Sequence, residues 1–120
     1  MSEGKNPDFE TFKEYFRKYQ DKFGLLGYDV YFGTKKMPNT FASLGTDQMT
    51  RVCNAYFSVG LDKTNRKDSN PPADAKHEAI HLLLSRLQWL ARCRYIGEEE
   101  IKEEVEGLTI KLTKLLPDVE

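Results

Sequence analysis

The segment from Ala73 to Arg94 constrains this chain more than any other. Read as a helix, it is apolar around most of its circumference, through Ile80, Leu82, Leu83, Leu84, Leu87, Trp89, Leu90 and Ala91. Such a helix is expected to be buried on several sides. It nevertheless carries His77, Glu78 and His81, and two polar rings and a carboxylate are costly to bury unless something uses them. Asn70, Pro71 and Pro72 lead into it, and proline suits a first helical turn. The rest of the fold has to wrap this helix.

On the N-terminal side, Phe9, Phe12, Phe16, Tyr19 and Phe23 recur at spacings of three and four, which predicts an amphipathic helix over Pro7 to Phe23 with Gly24 as its stop. Tyr28 to Thr34, Phe41 to Thr46 and Thr50 to Val59 read as three strands, with Asp47, Gln48 and Met49 turning between the second and third. The third alternates, Cys53, Ala55, Phe57 and Val59 against Asn54, Tyr56 and Ser58, so one face belongs to the core. These strands predict a small antiparallel meander. Asp62 to Ala73 is polar and proline-containing, a surface crossover. After a break at Ile96 and Gly97, Glu98 to Leu116 reads as a last helix, acidic at its start and basic near its end, as the helix dipole favours. The expectation is one α+β domain over residues 1–120: an N-terminal helix, a small antiparallel sheet, a buried central helix and a C-terminal helix.

Composition narrows the partners. At 120 residues with 39% hydrophobic content, the chain suits one modest core. A formal net charge of −1, with no long run of one sign, gives no reason to expect nucleic acid or an anionic membrane. The start is polar and no apolar run reaches the roughly 18 residues a bilayer requires, so no export signal or membrane span is expected. Cys53 and Cys93 form no metal or redox spacing and read as small core residues in a reduced, cytoplasmic setting.

The chemistry concentrates at His77, Glu78, Ala79, Ile80, His81, an H-E-x-x-H sequence containing the only two histidines of the chain. Four residues advance a helix by about 400°, so both imidazoles leave one face about 6 Å apart along the axis and can share one tetrahedral Zn²⁺. Glu78, one residue from His77, is turned away from ligation and toward a water, the place of a general base. With two histidines in all, a chance match of this kind is on the order of one in a thousand.

An open zinc site needs a third protein ligand. The extended metzincin motif would require glycine and histidine where Leu84 and Leu87 stand, so a carboxylate of the last helix is the remaining common choice. Glu98, Glu99, Glu100 and Glu103 read as a solvated acidic helix start. Glu104 borders the apolar stripe of Ile101, Val105, Leu108, Leu112 and Leu115. Gly97 lies about 24 Å along the helix from His81, however, and a returning helix must travel several turns to the metal. Depth therefore selects Glu106 as the expected ligand, with Glu104 as the alternative.

The H-E-x-x-H helix, preceded by strands and followed by a second helix, resembles the zincin metallopeptidases in their compact, minigluzincin-like form. The resemblance implies peptide-bond hydrolysis with Zn²⁺ held by His77 and His81 and Glu78 as the base. It further implies an extended peptide lying along the edge strand, expected at Thr50 to Val59, and an origin in bacteria or their phages. Gluzincins usually carry an acidic residue four places after the ligand glutamate, where Ile110 follows Glu106, and often a histidine or tyrosine for the oxyanion, for which only Tyr56 or Tyr95 offers itself. The alternative function is a metal-stabilised interaction module without general proteolytic activity.

Overall fold

A computed structural model describes residues 6–62, 66–93 and 95–118. Helix α1 spans Pro7–Lys22. Strands β1, Asp29–Lys35, β2, Ala42–Asp47, and β3, Val52–Ser58, follow. Helix α2 then covers Pro71–Arg92 and helix α3 Glu98–Leu115. The chain is α+β, as its patterning predicts.

Both long apolar helices start on the same device. Asn6 Oδ1 accepts from the backbone N–H of Asp8 at 3.0 Å and of Phe9 at 3.3 Å, with Pro7 opening α1. Asn70 Oδ1 accepts from Ala73 N–H at 3.3 Å ahead of α2, where Pro71 and Pro72 occupy positions whose N–H groups have no helical partner. Helix α1 ends at Lys22 with Phe23 as its cap, and Gly24 just beyond adopts φ +72°. Helix α3 is opened by Glu100, whose Oε1 accepts from Gly97 N–H at 3.1 Å.

The sheet differs from the expected meander. Its order is β1-β3-β2, with β1 parallel to β3 and β2 antiparallel to it, so it is mixed. The segment expected to be the edge strand, Thr50 to Val59, is thus the central one, and β1 and β2 form the edges. The physical reason is burial. Cys53 and Ala55 are fully buried and Phe57 nearly so, and the strand with the most apolar face takes the middle. Its alternation ends one residue before the strand does: Ser58 is buried, its Oγ donating to Met37 C=O at 2.6 Å, and Val59 is exposed.

The core lies where α1, α2 and one face of the sheet meet. Phe12 and Phe16 are both edge-on to Phe32, at 6.4 and 5.5 Å between ring centres, and Phe12 packs on Phe57 at 5.2 Å. Helix α2 meets this aromatic layer with small residues, Ala75 and Ala79, both fully buried, and with Leu82. Its burial is less complete than its composition suggests, since Ile80 and Leu84 are exposed. Cys53 is a core residue, whereas Cys93 is only half-buried at the end of α2. The expected end of that helix at Arg94 and part of the Asp62 to Ala73 crossover lie outside the described residues. No described helix is long and apolar enough to cross a membrane.

Candidate metal centre

Helix α2 brings His77 and His81 together as their spacing predicts. Their Nε2 atoms are 3.2 Å apart and their rings stand edge to face, 4.8 Å between centres. Two Zn–N bonds of about 2.0–2.1 Å at a tetrahedral angle place the nitrogens about 3.3 Å apart, so the pair already has the bite of a chelate. At the same distance one ring can donate a hydrogen bond to the other. Both rings are exposed.

Glu78, about 100° around the helix from His77, lies nearer the core and is 6% exposed. Burial raises its carboxyl above the usual range, the neighbouring His81 and His77 lower it in part, and Asp74 raises it further. Beneath it, burial pushes the Cys53 thiol up to about 12, with the charge of Glu78 adding to the rise. Glu78 has no hydrogen-bond partner among the described residues, yet no side-chain N or O there is both sealed from solvent and unpartnered. Its carboxyl therefore opens to a cleft.

That cleft runs between α2 and β2. One part, about 460 Å³, lies against Asn39, Thr40 and Phe41, and an adjoining part, about 390 Å³, against Ser43, Leu44 and Thr46. Ala42, His77 and Glu78 line both, and His81 lines the second. The edge strand beside the histidines is accordingly β2, with one side hydrogen-bonded to β3.

The expected third ligand is not gathered with the pair. Among the described residues no group of three or more His, Cys, Asp or Glu side chains is arranged to hold a metal ion. Glu106 is exposed on α3. Glu104 bonds Arg86 Nε through Oε1 at 3.2 Å. Arg86 is nine residues after His77, about 180° around α2, so the last helix docks on the side of α2 away from the imidazoles. Asp74, one turn before His77, accepts from Asn70 N–H at 3.3 Å and serves the helix start.

Neither tyrosine considered for the oxyanion lines the cleft. Tyr95 is 89% exposed, and Tyr56 lies under Lys35 Nζ, 4.0 Å from its ring centre. The polar residues that join the histidines and Glu78 in its second part are Ser85 and Gln88, four and seven residues beyond His81, with Ser43 and Thr46 of β2, while Asn39, Thr40 and Asp74 line the first. The helical spacing of Ser85 and Gln88 was the signal that could have found them. Ser85 also closes a buried network: its Oγ donates to Leu82 C=O at 2.7 Å and lies 2.9 Å from Gln48 Nε2, and Tyr28 Oη donates to Gln48 Oε1 at 2.8 Å. This ties the start of β1, the β2–β3 turn and the histidine helix together one turn from His81. Comparison with known proteins adds no relative: no family model matches the chain, and no curated protein or solved structure matches it.

Proposed function

We propose that the protein is a zinc-dependent peptide hydrolase in which His77 and His81 hold the metal and Glu78 is the general base. One observation carries the reading: a histidine pair with the 3.2 Å separation of a chelate stands on the same cleft as a buried carboxyl with a raised proton affinity. When bound, zinc would supply Lewis acidity to water and to a substrate carbonyl. Glu78 takes the proton from water in the cleft, and its raised proton affinity makes it a stronger base than a free carboxylate. Strand β2 offers its unpaired edge to an extended peptide, which would add to the sheet by backbone hydrogen bonds. Zinc analysis of the purified protein beside His81→Ala tests the centre. The reading requires about one zinc per chain, lost in the variant.

A second reading has the exposure of the site in its favour. Both imidazoles are exposed, and Ile80 and Leu84 beside them on α2 are exposed as well. A metal at such a surface can be shared with a partner, as in a metal-stabilised interaction module. Zinc that is retained without cleavage of any peptide in a broad library selects this reading over the hydrolase.

A further inference from the structure

A second cavity, of about 300 Å³, opens on the opposite side of α2, between α3 and the turns that flank β1 and β3. Its charged walls are Arg51, Arg86 and Lys111 against the single carboxylate of Glu104. Arg86 meets Glu104 through Nε, which leaves its terminal nitrogens without a partner among the described residues. The Arg51 guanidinium stacks 5.4 Å from the Tyr28 ring centre and, like Lys111, forms no ion pair among the described residues. The floor is apolar, made by Leu82, Leu83 and Leu108.

Two residues of this wall depart from what their local structure favours. Arg51 adopts φ +59°, left-handed backbone that a glycine or asparagine would take with less strain. Gly107 sits inside α3, where glycine weakens a helix, and a Cβ built on it would meet nothing within 4 Å. Packing does not require that glycine. Gly107 lines the cavity, so a long side chain there has room to occupy it.

We infer that this cavity binds a small carboxylate with an apolar body, its charge met by Arg51, Arg86 and Lys111 and its chain laid on the leucines. The excess of two positive charges selects an anion, and the leucine floor distinguishes it from a simple inorganic ion. The inference is independent of the zinc reading.

Calorimetric titration with hexanoate, beside inorganic phosphate, tests it. Hexanoate should bind saturably at one site per chain, more tightly than phosphate. Lys111→Ala should weaken it by about tenfold or more, the effect of removing one charge-assisted bond. Arg51→Gly should weaken it similarly while keeping or raising the melting temperature, because glycine accepts the backbone that arginine strains. Gly107→Met, which fills the space and favours the helix, should abolish binding in a protein that still melts cooperatively. Absence of saturable hexanoate binding, unchanged affinity in these folded variants, or phosphate binding as tightly as hexanoate would each overturn the assignment.

Discussion

Arg86 Nε and Glu104 Oε1, 3.2 Å apart, hold α3 on the face of α2 that points away from His77. The pair marks the face of α2 on which α3 docks, through Leu108 and Leu115 in the core, and hence which carboxylates can reach the histidines. Glu106→Ala should accordingly leave zinc affinity within about twofold of wild type, since loss of a true ligand costs far more. Glu104→Ala should cost about 0.5–1 kcal/mol of stability, because both partners keep solvent contact and the pair is screened. A competitive zinc titration and chemical denaturation check the two. Loss of zinc in Glu106→Ala would show that α3 docks on the metal side of α2.

The alanines of α2 are as constraining as its histidines. Ala79 is fully buried in the core that α2 shares with α1. Ala79→Leu should destabilise by about 1–3 kcal/mol through overpacking. Zinc binding in the folded fraction should persist, since Ala79 lies on the core side. The denaturation midpoint reads the first effect and zinc content the second.

Much of this arrangement was legible in the sequence for reasons of spacing. The i,i+4 histidines share a face in any α-helix, and the two Asn-Pro starts mark α1 and α2 by their own cap chemistry. Strand order was not legible from local pattern, because Tyr28 to Thr34 pairs in parallel with a segment that follows an intervening strand. The clue available was Cys53, Ala55 and Phe57, whose buried face suits a central strand. Whether Glu104 or Glu106 could join the histidines was not legible for a different reason. Glu104 and Glu106 occupy known faces of α3, but which face of α2 they meet is set by tertiary packing of Leu108 and Leu115, and the Arg86–Glu104 pair follows from it.

The buried network one turn from His81 should contribute measurably. Gln48→Ala removes the acceptor of the Tyr28 hydroxyl and a donor to Ser85 Oγ, which keeps its bond to Leu82 C=O, and an unpaired buried polar group costs about 1–3 kcal/mol. The denaturation midpoint should fall by that amount. Zinc affinity should fall with it if the network also steadies the histidine turn, as its position implies. An unchanged midpoint would mean that water replaces the amide without cost.

Cys53 supplies a pH dependence whose sign is fixed. The buried thiol holds its proton to about 12, while an unfolded one releases it near the ordinary value of 9.0. Between those values the folded state binds more protons, so stability falls as pH rises, by about 1.4 kcal/mol per unit, and is unaffected below. Denaturation at about pH 8 and pH 10 in wild type and Cys53→Ala isolates the effect. The difference between the two proteins should narrow at the higher pH.

In the proposed hydrolase Glu78 is the base and its neighbours His77 and His81 hold the metal. Glu78→Gln keeps the size of the side chain and removes only its capacity to take a proton, so zinc content should match that of wild type. The decisive measurement is the rate of peptide-library cleavage by the two proteins at equal zinc content. The account predicts a drop of about 10² to 10⁴ in Glu78→Gln, the usual effect of losing a general base. Equal rates in the two proteins would contradict it.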